Sequence, residues 1–155
     1  MLFATVVLAA GIAEASAVSD PPRLMTTAEA LALPQPPPDH RIAYGSEPLQ
    51  FGELRLPEGP GPHPVAILIH GGCWLAAYDL GYVSALAEAL AGAGVASWSV
   101  EYRRVGDEGG GWPGTFSDVA AAADFVRRLA IEHPIDPQRV VAVGHSAGGH
   151  LALWL

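Results

Sequence analysis

From residue 40 to the end, apolar and polar positions fall into alternating blocks. Leu49 to Leu56 alternates loosely and reads as an early strand, and the Pro/Gly-rich stretch Pro57 to Pro64 must be a turn or loop. Val65-Ala66-Ile67-Leu68-Ile69 is a continuous apolar run, the pattern of a strand buried on both faces. Asp79 can cap a helix running to about Ala91, and Gly92 and Gly94 supply its stop. Val95 to Val100 is the next buried strand, followed by a polar, Gly-rich loop from Glu101 to Gly114. Thr115 and Asp118 form a T-x-x-D helix start whose oxygens can satisfy free first-turn amides. Phe116, Val119, Ala123, Val126 and Ala130 then recur at spacings of three and four, predicting one buried helix face with Asp124, Arg127 and Arg128 turned away. Pro134 ends that helix, Val140 to Val143 reads as a third buried strand, and Ala147 to Leu155 begins another helix. This β-α-β-α-β-α rhythm predicts an α/β fold with a parallel sheet covered by helices. The right-handed crossover rule places the functional site along the edge formed by the strand C-terminal ends.

The first 39 residues follow a different pattern. Leu2 to Ala13 is apolar and uncharged, and Ala15-Ser16-Ala17 is a small-residue A-x-A site. The pairing predicts a signal peptide over residues 1–17 and export to the periplasm or medium, although a basic leading segment is missing. An ordinary Ala-rich helix and a cytoplasmic protein are the alternative. The run is too short for a stable membrane span. Residues 18–39 carry the clusters Pro21-Pro22 and Pro34 to Pro38, and each Pro removes a backbone donor and fixes φ. They predict a linker with one short helical piece around Thr27 to Leu33, leaving 40–155 as the folded part.

Composition narrows the chemistry. All eight basic residues are Arg against sixteen acidic ones, for a net charge of −8. The absence of Lys removes a Schiff-base lysine and a P-loop lysine, and scattered Arg on an acidic chain gives no nucleic-acid footprint. A single cysteine, Cys73, excludes an internal disulfide and a multi-cysteine metal site. No metal or organic cofactor is implied.

Two segments carry candidate chemistry. Gly144-His145-Ser146-Ala147-Gly148 is a G-x-S-x-G sequence between a predicted buried strand and a predicted helix. A sharp strand-to-helix turn there strains the Ser backbone, needs small neighbours and holds the Ser146 hydroxyl out, while the Ala147 amide is free to meet developing negative charge. His70-Gly71-Gly72-Cys73-Trp74 directly follows the strand Val65 to Ile69, and its two glycines let backbone N–H groups point at a ligand. Losing one such donor typically costs about 3 kcal/mol of transition-state stabilisation.

At these two segments the chain resembles the α/β-hydrolase superfamily, in its esterase/lipase branch with an HGG oxyanion loop: the hormone-sensitive-lipase-like and kynurenine-formamidase-like enzymes. Glu101-Tyr102-Arg103-Arg104, Trp112-Pro113 and Ile135-Asp136-Pro137 are similar to segments of bacterial members, feruloyl-esterase-like ones included. The resemblance covers roughly residues 45 to 155. It implies a three-layer α/β-hydrolase fold, a mostly parallel sheet flanked by helices, truncated after the nucleophile-elbow helix. It further implies Ser146 as nucleophile and the amides of Gly72, Cys73 and Ala147 as oxyanion hole, with His70, Gly71, Gly144, His145 and Gly148 supporting the two motifs. Cys73 stands where the family often has Gly; a backbone donor survives, but the side chain reshapes the pocket.

In that family the acid and then the His come after the elbow, and here nine residues follow Ser146. His150 is expected to be carried away by its helix and to serve in packing or a polar contact, His145 to lie against the sheet or pocket wall, and His70 to brace the oxyanion loop. Asp79 and Asp118 read as helix caps and Asp124 as a solvated position. The expectation is therefore an N-terminal piece of an enzyme about 100 or more residues longer, since α/β domains of 200–250 residues are ordinary. The function expected of the complete protein is hydrolysis of a small-molecule carboxylic ester through an acyl-enzyme on Ser146. The alternatives are an amidase of the arylformamidase type, separable by comparing small esters with N-formyl aromatic amines, and a non-catalytic hydrolase-fold module should the gene end at Leu155. A malonyl-transfer-type acyltransferase also uses G-H-S-x-G, but the upstream HGG loop opposes it.

Overall fold

The computed structural model describes residues 23, 25, 26, 28, 29 and 32–155. The expected signal peptide lies outside the described residues, as do the first residues of the expected linker and part of its short helix.

Among the described residues five strands form one sheet: β1 (His40–Ala43), β2 (Phe51–Arg55), β3 (His63–Ile69), β4 (Ala96–Val100) and β5 (Ile135–Gly144). Their spatial order is β1-β2-β4-β3-β5. The β1/β2 and β2/β4 pairings are antiparallel, whereas β3 pairs in parallel with both β4 and β5. The sheet is therefore mixed. Its parallel part is the segment built from the three strands that read as buried apolar runs, and β1 has no counterpart among the elements the pattern predicts.

Period-two alternation along β3 splits its side chains between two layers. Val65, Ile67 and Ile69 face Trp98, Val119, Val126, Leu129 and Leu151, while Ala66 and Leu68 face Val83 and Ala87. Burying each of the larger aliphatic side chains contributes about 1.5–3 kcal/mol. Helix α1 (Ser84–Gly92) thus covers one face; α2 (Gly114–Asp124), α3 (Val126–Glu132) and α4 (Ala147–Trp154) contribute to the layer on the other.

The structure corrects three local expectations. The helix expected to start at Asp79 opens as a 3-10 turn over Leu80–Val83, with the Asp79 carboxylate accepting from the Gly81 amide at 3.0 Å, before α1 begins. The long helix breaks at Phe125, and its buried face runs through Thr115, Asp118, Val119, Ala122, Val126 and Leu129; Phe116, Ala123 and Ala130 pack half-buried beside it. That rotation lets the fully buried Trp98 donate from Nε1 to the Ala122 carbonyl at 3.0 Å. Third, Val140, Val141 and Val143 are 40%, 54% and 37% exposed rather than buried, because β5 is the outermost strand of the described sheet and pairs only with β3.

Candidate active site

The C-terminal ends of β3 and β5 meet at one sheet edge, and both sequence motifs sit there. Ile69 pairs with Gly144 at the last register position, so His70 to Gly72 and His145 to Ser146 leave the sheet side by side. Their backbones touch. A Cβ at Gly71 would lie 2.7 Å from the His145 carbonyl oxygen and 3.4 Å from the Ser146 Cβ. One at Gly144 would lie 2.1 Å from the Gly148 carbonyl oxygen, and one at Gly148 would lie 2.0 Å from the Ile69 carbonyl oxygen. The three carbonyl oxygens are backbone atoms, which cannot swing away, so strand, turn and helix approach this closely only without side chains.

Three non-glycine residues of the described chain have left-handed φ, and all three are here: Cys73 at 53°, Trp74 at 59° and Ser146 at 54°. Such residues store about 1–3 kcal/mol of strain each and persist only where their surroundings over-determine them. Ser146, with ψ −119°, sits immediately before α4 and is exposed. Gly72 has φ +114°, and a Cβ there would also run into the Tyr78 side chain at 2.4 Å. Among the described residues none accepts a hydrogen bond from the amides of Gly72, Cys73 or Ala147. The site therefore presents an exposed hydroxyl on a strained turn, the N-terminus of an eight-residue helix, and loop amides beside it.

What fixes the loop is a buried polar hub that sequence reasoning missed. Glu101 follows β4 directly and is 2% exposed. Its carboxylate faces His70 Nε2 at 3.1 Å and accepts from the Leu80 amide at 3.1 Å and from the Tyr102 amide at 3.1 Å. His70 begins the β3–α1 loop and Leu80 ends it, so a single carboxylate ties down both ends. His70 Nδ1 lies 2.8 Å from the Gly71 carbonyl, so each ring nitrogen faces an oxygen of this network. The Tyr102 hydroxyl donates to the His70 carbonyl at 2.8 Å, and its ring stacks on the imidazole with centroids 4.4 Å apart. Burial, and then the Glu101 charge, hold the Tyr102 phenol well above its ordinary range, so it remains a donor.

Arg104 extends the hub. Its guanidinium approaches Glu101 at 3.1 Å and Asp107 at 3.1 Å, and donates to the Tyr78 carbonyl. Tyr78 is the residue that closes over Gly72. The expectation that His70 braces the loop thus acquires its partners.

Asp118 is a correction. It caps no helix: the residue preceding α2 is Pro113, without a side-chain cap, and the Thr115 hydroxyl instead bonds the Arg103 carbonyl and the Gly111 amide. Asp118 is fully buried, accepting from Arg103 Nε at 2.8 Å, Arg103 Nη2 at 2.7 Å, the Arg103 amide at 3.0 Å and Gln50 at 2.7 Å. Burial alone would raise its pKa, but the Arg103 and Gln50 hydrogen bonds outweigh that and hold it below the usual carboxylate range. Asp124 does sit on a solvated face, pairing with Arg127 at 2.7 Å.

His145 is exposed, with Nδ1 3.1 Å from the Tyr82 hydroxyl and its ring stacked on that of Tyr82. His150 takes the packing role expected of it but is not carried away from the loop after β3: its ring packs edge-on against Trp74 at 5.6 Å and Phe116 at 5.8 Å. Among the described residues no three His, Cys, Asp or Glu side chains gather as a metal site, and no helix is long and apolar enough to cross a membrane.

Comparison with known proteins relates the chain to esterases. The BD-FAE family model matches residues 53–155. A probable isoprenylcysteine alpha-carbonyl methylesterase of Arabidopsis thaliana is 30% identical over 112 residues, covering 72% of this chain and 23% of that protein. The chain thus spans about a quarter of that relative's length. Among solved structures, a truncated carbohydrate esterase from gut microbiota superposes with a TM-score of 0.65 at 33% identity, over 72% of this chain and 40% of that one. A thermophilic esterase from Thermogutta terrifontis, solved with propionate bound, gives a TM-score of 0.66 at 26% identity, over 73% and 43%.

Proposed function

Because this chain belongs to the BD-FAE family, a family of α/β-hydrolase esterases, we propose that it carries the nucleophile and oxyanion hole of a serine hydrolase acting on small-molecule carboxylic esters. Ser146 attacks the ester carbonyl, its Oγ–C bond replacing the bond to the leaving alkoxide, which departs with a proton as the alcohol. Water then cleaves the acyl-enzyme and restores the hydroxyl. The amides of Gly72, Cys73 and Ala147 receive the tetrahedral oxyanion, with the N-terminus of α4 adding its positive end. The general base and the acid that orients it are assigned to the part of the relatives' length that this chain does not span.

The observation that carries this reading is the strained Ser146, at φ 54° between β5 and α4 and against the glycine loop after β3. A plain βα turn has no need of a left-handed serine. The test is covalent labelling by a fluorophosphonate in the protein expressed from its complete reading frame. Labelling on Ser146 is expected, and Ser146→Ala is expected to abolish it together with ester turnover, down to the ~10³–10⁴-fold residual acceleration over water that binding and the oxyanion hole give in serine proteases. Turnover unchanged in Ser146→Ala overturns the assignment.

A further inference from the structure

The turn that carries Ser146 is supported unequally from its two sides. β5 pairs only with β3 in the described sheet, so Ser146 stands at the end of the outermost strand. On one face α4 ties the turn into the layer that holds Leu151 and Trp98. From the other face, that of α1, one side-chain hydrogen bond reaches it among the described residues: the Tyr82 hydroxyl lies 3.1 Å from His145 Nδ1. The two rings also stack, with centroids 5.5 Å apart and an interplanar angle of 27°.

Tyr82 comes from a fixed support. It belongs to the 3-10 turn Leu80–Val83, and its side chain packs against the cluster of Ala66, Leu68, Val83 and Ala87. The Asp79 carboxylate holds the Gly81 amide of that turn, and the Glu101 carboxylate holds the Leu80 amide. The His145 ring has a second neighbour. A Cβ at Gly71 would lie 3.2 Å from the same Nδ1, so the imidazole lies against the first glycine of the oxyanion loop. The His145 carbonyl accepts from the Gly148 amide at 2.9 Å, which fixes the peptide leading into Ser146. One residue thus touches all three parts of the site: the nucleophile turn through its backbone, the glycine loop through its ring, and the 3-10 turn through Tyr82. Ser146 itself holds φ 54°, a conformation that persists only where its surroundings over-determine it.

We propose that Tyr82 is a positioning residue of this site: its hydroxyl pins the His145 ring against Gly71, and the ring sets the spacing between Ser146 and the amides that receive the oxyanion. The proposal rests on the serine-hydrolase reading. In this role Tyr82 acts through His145 and moves no proton itself. Oxyanion donors work at about 2.7–3.1 Å, so a drift of the nucleophile turn relative to the loop is felt in the rate.

The test uses the protein expressed from its complete reading frame, with p-nitrophenyl acetate as substrate. Tyr82→Phe keeps the ring and removes the hydroxyl. It is expected to lower kcat about fivefold, the rate equivalent of one net hydrogen bond, with KM and melting temperature unchanged. His145→Ala removes the spacer and is expected to lower kcat about 10²-fold, the order associated with a misplacement of about 1 Å. Adding Tyr82→Phe to His145→Ala is expected to change nothing further, because the hydroxyl has lost what it acts through. An unchanged kcat in Tyr82→Phe overturns the proposal, as does a loss confined to KM or a fivefold loss that persists in the His145→Ala background. The contact is also read without turnover. The nitrogen NMR signal of His145 Nδ1, assigned by its disappearance in His145→Ala, is expected to shift in Tyr82→Phe; a signal that stays in place overturns the proposal even where kcat falls. The two readings fail separately: a wild type that takes no fluorophosphonate removes the hydrolase function, whereas a labelled wild type whose rate ignores Tyr82→Phe removes only the role of Tyr82.

Discussion

The two sides of the β3–α1 loop are built on opposite principles. Behind it, His70, Glu101, Tyr102 and Arg104 are each no more than 5% exposed, and nearly every polar atom has a partner. In front, Trp74, Leu75, Tyr78 and Trp112 are between 37% and 74% exposed, with Trp74 edge-on to His150 and Trp112 edge-on to Phe116. A buried polar network has one arrangement in which all its donors and acceptors are satisfied, so it fixes a backbone; an open aromatic surface tolerates many neighbours, so it suits contact with something variable. The loop needs both, because its amides must be held still while the space before them admits a ligand.

That contrast predicts a graded series. Glu101→Ala removes the carboxylate that faces His70 and Arg104, and breaking a buried pair on one side costs about 3–5 kcal/mol. Urea denaturation should show a loss of that size, whereas less than about 1 kcal/mol would mean the hub does not fix the loop. Asp118→Asn comes next, at roughly 1.5–3 kcal/mol for hydrogen bonds to a charged group. Since the folded pKa of Asp118 is lowered, its contribution is present above its unfolded value, near pH ~4, and is lost as pH falls through the folded value. The variant should therefore melt lower at neutral pH and show a flatter acid limb, and an equal offset at every pH would remove Asp118 from that role. Tyr102→Phe deletes one donor to the His70 carbonyl and should cost about 1 kcal/mol in the same denaturation series. Trp112→Ala, on the open side, should change stability by no more than about 0.5 kcal/mol. A thermal melt showing a loss comparable to that of Glu101→Ala would erase the distinction between the two sides.

The site's outline was legible and its support was not, for one physical reason. Ser146, Gly144, Gly148 and the His70–Gly72 turn are announced by local patterns, because each belongs to a short turn at the end of an apolar strand. The contacts that support the loop join residues far apart in sequence: in the hub Glu101 meets His70 31 residues away, and outside it Gln50 meets Asp118 68 residues away. No short window of residues contains both members. T-x-x-D at Thr115 and Asp118 matched a helix start, yet Arg103, in the polar loop before it, holds Asp118 inward. One signal was available: Glu101, Arg103 and Arg104 cluster immediately after an apolar strand, where such charges must find partners or face solvent. The exposure of β5 was hidden for a related reason, since an apolar run specifies that a strand is apolar and leaves open which neighbours flank it.

The strand order carries a consequence for synthesis. Because β4 lies between β2 and β3, the order in space differs from the order in which a ribosome delivers the strands. β1 and β2 can close as a hairpin on emergence, but β3, apolar toward both layers, emerges before either of its partners exists. At about 5–20 residues per second it waits seconds for β4 and longer for β5. A segment that finishes almost wholly interior therefore begins as a nascent chain's sticky stretch, and the span from His63 to Ala96 is where a ribosome-bound holdase has the most to shield.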